Sequence, residues 1–508
     1  MSSITLAIVI IFLCLVYYYL KSTYFTLRGS IPGIPPHFLF GNFFHLAWIT
    51  RKYGSMPDSV IHLKERFGDV YQLWIGAMRM IMINRLEDAQ HIFSHRHIYD
   101  QGDLFTENFK IINPHGIICL KGAEFKRHAT FTAPLFRRAK ILVHLNTITD
   151  CTDKLLDRWR THYTDPTEVH LDMIEQSQQL LLAVFGFIAF DYDLHTLDDD
   201  ANMKHNELTE AFYSLLNTMQ ILFRLPIFLA RMFWFFNFKA QRARKVIDQY
   251  LEKMIEHELN ASEEMRAERK RTTLIASLVT SLQEDEQLEA IKPEEEKKGL
   301  SRNEVMSEML AFLSAGFGTT STSLIWFIYY MSKKPDVQKK IKDELAEYDG
   351  QRVSLEQLDS LVYLDCVLRE LLRLVGPVLG TVRTLTTDDQ LPGSGVQLKQ
   401  GDSVMISFYT LARDKRYWSD LYDLNEFHPE RYLNDPEHKN NLAALMAFGG
   451  GHRQCMGQDL ARFELKVICA RLMQFVSFGD GGPKLNAGGY DVTDTNKPKN
   501  IGVTVRFD

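Results

Sequence analysis

The sequence predicts an α+β fold, mostly helical, with a smaller β portion and an N-terminal transmembrane anchor. Helical periodicity dominates from about residue 85 to 345, and short strand-like pieces alternate with turns from 376 onward. Ile4 to Leu20 is uncharged and almost wholly apolar. With 508 residues the chain can bury a large core, and neither a flexible linker nor an internal repeat interrupts it after residue 40. The expected organisation is an anchor over 1–20, a proline-rich hinge over 21–40 and one large body over 41–508.

Composition narrows the function classes. Hydrophobic residues at 45% and charged residues at 24% are ordinary for a folded protein. A net charge of −6 gives no support to polyanion binding, so nucleic acid is not an expected partner. The six cysteines (14, 119, 151, 366, 455 and 469) are scattered without a C-x-x-C pair. That disfavours a disulfide framework or a zinc site and fits a reducing compartment.

The apolar run from Ile4 to Leu20 lies near the lower length limit for a membrane span. It follows Met1-Ser-Ser without a basic flank and continues into Tyr17-Tyr18-Tyr19 rather than a small-residue cleavage site, so a retained anchor is expected over a signal peptide. Lys21 and Arg28 flank only its C-terminal side, which places the body in the cytosol. Ile31-Pro32-Gly33-Ile34-Pro35-Pro36 is stiff and cannot continue a helix.

Val70–Ile75 and Met80–Ile83, separated by Gly76-Ala77-Met78-Arg79, read as a β-hairpin. Phe212 to Phe238 is rich in aromatics but interrupted by Arg224, Pro226 and Arg231, so it reads either as an interfacial segment or as core. The charged stretch from Glu252 to Lys298 reads as a solvated helix face and a loop. Strand-like pieces follow at Gly380–Leu385, Val396–Leu398 and Val404–Phe408.

Two stretches carry the chemistry. The first is Phe448-Gly-Gly-Gly451-His-Arg453-Gln-Cys455-Met-Gly457, followed directly by a helical pattern. Cys455 then sits just before a helix N-terminus, where the dipole and free N–H groups favour a thiolate, a good axial ligand for haem iron. Gly451 and Gly457 leave room for a flat macrocycle, and Arg453 can fork onto a propionate. A buried structural cysteine in a glycine-rich turn is the bland alternative. The second stretch is Ala315-Gly316-Phe317-Gly318-Thr319-Thr320, inside a helix opened by a Ser301/Glu304 capping box. Glycines in a helix interior cost about 1 kcal/mol each, which close approach of a flat ligand would offset. Thr319 offers a hydroxyl beside the gap; its alternative is a back-bond to a carbonyl one turn earlier.

At all its fixed positions the cysteine stretch resembles the haem-binding signature of the cytochrome P-450 (P450) family, a chance match on the order of one in ten thousand for such a chain. The resemblance covers nearly the whole chain in family order, and it resembles the eukaryotic microsomal members. It implies a P450 fold and a haem-thiolate monooxygenase containing haem b (iron protoporphyrin IX). Such an enzyme takes electrons from NADPH through a flavin reductase, with cytochrome b5 as a further partner. It inserts one oxygen atom of O2 into a hydrophobic lipid, sterol or xenobiotic, at the endoplasmic reticulum membrane. Cys455 is then the axial ligand; Phe448, Gly451, Gly457, Arg453 and Arg383 are cofactor-binding; Ala315, Gly316 and Thr319 belong to the oxygen-activating helix. Glu370-Leu-Leu-Arg373 puts two charges on one helix face, and Pro429-Glu-Arg431-Tyr resembles the family element that completes a structural triad of Glu370, Arg373 and Arg431.

This chain departs from the pattern at three places. Gly318 stands where an acid normally precedes the threonine, and Phe125 and Ala129 stand where many members carry a Trp and an Arg that support the propionates. Lys126 or His128 is a possible substitute for the latter pair. The basic group Arg137, Arg138 and Lys140 suits an acidic reductase or simply water. Two other readings stay open: a haem-thiolate isomerase or dehydratase acting on a peroxide, and a non-catalytic haem or lipid binder.

Overall fold

In the computed structural model, the described residues are 3–508 except 77, 199–206, 349, 434–441 and 493–494. Contacts sort the chain into two compact units that do not follow chain order: one holds residues 1–104, 379–411 and 449–453, the other 105–378, 412–448 and 454–508.

The first unit is built on a five-stranded sheet. The predicted hairpin is present, Val70–Ile75 against Met78–Ile83, with Ile75 opposite Met78. Turn residue Ala77 lies outside the described residues. Met80–Ile83 then pairs in parallel with Ser403–Ile406, and that strand runs antiparallel to Gly380–Leu385, which carries the short edge strand Tyr99–Gln101. The alternating residues Tyr71, Leu73, Met80 and Met82 form one face of this unit's core with Ile34, Val60 and Leu63. The proline segment lies along the sheet, where Gln72 N–H donates to Pro32 O at 2.8 Å. A side chain on Gly33 would collide with the Gln72 carbonyl at 2.2 Å. The N-terminal helix runs Ser3–Tyr24, and its apolar span Thr5–Tyr24 is unburied.

The second unit is helical around a core that includes Leu180, Leu181, Phe327, Val367 and Ile468. Its axis is the helix Arg302–Lys333, which begins at the predicted capping box: Ser301 Oγ accepts from Glu304 N–H at 3.3 Å and Glu304 Oε2 accepts from Ser301 N–H at 2.7 Å. The helix Met173–Phe190 lies along it. Phe212–Phe238 is two helices, Glu207–Arg224 and Ile227–Phe236, broken where proline denies a donor at 226. Phe212, Leu215 and Leu222 are core, whereas Phe228, Met232, Phe235 and Phe236 are exposed. The core reading therefore fits the first half, and the second half presents its aromatics outward; the side chains of Phe223 and Arg224 lie outside the described part. The charged stretch differs from a plain solvated face. Glu294 pairs with Arg127, and Glu289 accepts from Lys298 N–H at 2.8 Å. Acid–base order along the chain does not reveal Arg127 as a partner, because it comes from the distant helix Gly122–Thr132.

Candidate functional site

In the cysteine loop, Cys455 N–H donates to Phe448 O at 3.0 Å, closing the turn that presents the sulfur. The helix Gln458–Phe475 starts three residues later, with Gly457 at its N-cap. A Cβ on Gly457 would stand 4.0 Å from the sulfur, so glycine keeps that side open. Cys455 is exposed, yet neighbouring atoms crowd it enough that burial pushes its thiol up, opposed by a hydrogen bond from Gly457 N–H. The ring of Phe448 is covered by the Arg462 guanidinium at 5.0 Å.

In the first unit, Gly451 has φ +69°, and a Cβ there would lie 2.1 Å from the Phe93 carbonyl oxygen. Its glycine is thus required by backbone shape and by Phe93. Arg453 pairs with Asp100 at 2.6 Å. Arg383, 2% exposed, donates to Thr381 Oγ1 at 2.7 Å and Val382 O at 2.8 Å and lies over the Phe93 ring at 5.7 Å. No carboxylate pairs with it among the described residues. Burial and the neighbouring Arg453 pull its pKa down to about 10, with Asp100 opposing. Among the described residues this buried guanidinium donates only to neutral oxygens, so the donor set fits a haem propionate.

On the helix Arg302–Lys333, the turns on either side of the expected oxygen site are buried, but Ala315 is exposed and Ser314, Gly316 and Thr319 are partly open. An unfilled stripe in mid-helix fits a flat group laid against it. Thr319 Oγ1 donates to Ala315 O at 2.9 Å, the back-bond of the simpler reading, which leaves its oxygen lone pairs free to accept. Gly316 also meets a packing constraint. A Cβ there would stand 2.8 Å from Phe185 Cε2, so the glycine admits a ring from Met173–Phe190. Gly318 is buried, and its carbonyl accepts from Ser321 Oγ at 3.1 Å and Thr322 Oγ1 at 2.9 Å.

Glu370, Arg373 and Arg431 come together, each at most 1% exposed. Arg373 forks onto Glu370 at 2.8 and 2.9 Å and also donates to Ala412 O and Leu424 O. Arg431 Nε lies 3.4 Å from both Glu370 oxygens. His128 is no substitute for the absent propionate ligands: it is fully buried, with Nδ1 2.6 Å from Glu308 Oε1. Lys126 is exposed, and Phe125 packs on the core. Sequence reasoning missed Asp100, Phe93 and the His128–Glu308 pair. Each is brought in from a distant segment, with no local pattern to mark it.

The family model for cytochrome P450 matches residues 31–482. Cytochrome P450 monooxygenase 205 of Postia placenta is 25% identical over 479 residues, covering 88% of this chain and 86% of its own. Cytochrome P450 709B1 of Arabidopsis thaliana is 24% identical over 430 residues, with coverages of 82% and 78%. Cytochrome P450 monooxygenase claU of Ampulloclitocybe clavipes is 26% identical over 505 residues, with coverages of 91% and 88%. The chain belongs to the cytochrome P450 family and is a haem-thiolate monooxygenase.

Proposed function

We propose that this chain is a membrane-anchored monooxygenase that inserts one atom of O2 into a hydrophobic substrate, with haem b as cofactor and Cys455 as its axial ligand. The observation that carries the reading is the cysteine loop, with its sulfur left open beside Gly457, in a chain of this family. Bound haem supplies oxygen activation, and a metal at the sulfur holds it deprotonated. Arg383 and Arg453 supply the positive charge for the propionates. Gly451 keeps its backbone close to Phe93, and the stripe at Ala315, Gly316 and Thr319 leaves space on the helix. Thr319 Oγ1 orients a water there as an acceptor. Glu370, Arg373 and Arg431 hold the chain between Glu370 and the Phe427–Tyr432 segment without touching the reaction.

Electrons come from NADPH through a flavin reductase, with cytochrome b5 as an accessory donor. Exposed Arg137 and Arg138 support docking of an acidic partner, although Arg138 already pairs with Asp359 at 3.0 Å. The unburied helix Thr5–Tyr24 supports anchoring in the endoplasmic reticulum with a cytosolic body, over an organisation of 1–20 anchor, 21–40 hinge and 41–508 catalytic part. The deciding experiment is the ferrous carbonyl spectrum of purified protein. A red-shifted thiolate band that Cys455→Ala abolishes, with product formation dependent on NADPH and reductase, is expected. Peroxide rearrangement without either reagent would replace the reading with an isomerase.

A further inference from the structure

The arginines that suit the propionates come with an acid already among them. Asp100 lies on Tyr99–Gln101, the edge strand that pairs with Gly380–Leu385, the strand of Arg383. Arg453 Nη2 donates to Asp100 Oδ1 at 2.6 Å, and Gln101 N–H donates to the same oxygen at 2.7 Å, so two donors fix the carboxylate. His452 Nε2 stands 4.0 Å from that oxygen. The Arg453 side chain is 4% exposed and that of Asp100 17%, and Arg383 is 2% exposed. Charges in so dry a place act on one another far more strongly than in water.

Their balance is uneven. Asp100 is the one acid among the described residues whose charge acts on Arg453 and on Arg383, and each arginine is otherwise weakened as a cation by burial. Burial and Arg453 pull the His452 pKa below its ordinary value, with Asp100 opposing and Arg383 and Arg96 adding to the pull. The imidazole is therefore no third cation at neutral pH. Arg96, just past the helix Leu86–Ser94, is exposed, and water screens its charge. Phe125 and Ala129, where the family pattern supplies propionate ligands, add no charge, and His128 is turned to Glu308. Two guanidinium groups and one carboxylate leave a single net positive charge. The cluster thus suits one further anion, whereas haem b brings two propionates.

We propose that Asp100 is a positioning residue that holds Arg453 for the haem and leaves the propionate edge one negative charge in excess, which favours ferric over ferrous iron and loosens the cofactor. Reduction adds an electron, and a carboxylate without its own counter-charge opposes that addition. The same carboxylate competes with a propionate for the Arg453 fork. Asp100 touches neither substrate nor the reacting atoms. An acid that only props Arg453 would share this geometry, so the test reads charge separately from shape.

The inference rests on the haem-thiolate reading, and the experiment separates the two. Asp100→Asn keeps an oxygen for Arg453 and for Gln101 N–H but carries no charge. Haem transfer from this variant to apomyoglobin should slow about fivefold, and the ferric/ferrous midpoint potential should rise. Asp100→Glu restores the charge and should return both readings toward the unmodified chain. Asp100→Ser, smaller and neutral, should also raise the potential, even where its looser fit costs haem. When haem dimethyl ester, whose propionates are uncharged, is loaded instead, the unmodified and Asp100→Asn chains should release it at rates within about twofold of each other. A potential that stays or falls in both neutral variants, faster haem release from Asp100→Asn, or an equal gain with the diester would overturn the role of Asp100 and leave the thiolate carbonyl band untouched. Absence of that band from the unmodified chain would overturn the haem-thiolate reading and this inference with it.

Discussion

Glu464, on the helix that follows Cys455, is 4% exposed. Burial alone raises its pKa to about 8. A carboxyl whose folded value lies above its unfolded one stabilises fully below the unfolded pKa, and the advantage is lost as pH rises toward 8. Glu464→Gln should therefore be more stable by roughly 3–5 kcal/mol at pH 8 and nearly neutral at pH 4.5, measured by chemical denaturation at both. A pH-independent difference would mean that Glu464 has found a partner. This residue was illegible in the sequence, where an acid in a helix pattern reads as solvated. Cys455, by contrast, was marked by its flanking glycines, because the spacing needed to present a sulfur is local. The Phe185 contact at Gly316 was illegible for the opposite cause: the ring reaches it from a different helix.

At the scale of elements, two contacts decide whether the helices can approach. Alanine at 316 gains about 1 kcal/mol of helix propensity but forces a methyl to 2.8 Å from the Phe185 ring. Overpacking of that kind costs about 1–3 kcal/mol, so the clash wins and Gly316→Ala should be less stable. Adding Phe185→Leu should recover most of the loss, and a double-mutant cycle by thermal unfolding would measure the coupling. The Glu370–Arg373–Arg431 cluster sets the second contact. Removing the shared carboxylate with Glu370→Gln leaves two buried guanidinium groups opposite a neutral amide. A loss of about 3–5 kcal/mol is expected, seen as a lower denaturation midpoint and reduced haem retention. The spacing of Glu370 and Arg373 was legible, since three residues always share a helix face. Their burial and the reach to Arg431 were not, because those depend on the segment Phe427–Tyr432 folding back.

For the whole molecule, the division into anchor and body is testable by truncation. The apolar helix is unburied up to Tyr24, but Trp74 Nε1 donates to Tyr24 O at 2.7 Å and Phe25 is buried. Deleting residues 1–20 should therefore move the protein from the membrane pellet to the supernatant while the ferrous carbonyl band survives. Loss of the band would show that the helix supports the fold. By itself the sequence determined the fold class, the hairpin, the capped central helix, the apolar N-terminal run and the family-bearing cysteine loop. Each of these rests on periodicity, capping or spacing within a few residues, and such local chemistry is written directly in the chain. Only the tertiary structure decided that Arg453 meets Asp100, that Arg383 donates to Thr381 and Val382, and that His128 turns to Glu308. The Arg453–Asp100 and His128–Glu308 pairings join residues 353 and 180 positions apart. Burial, which sets their charges, arises only when distant segments exclude water together.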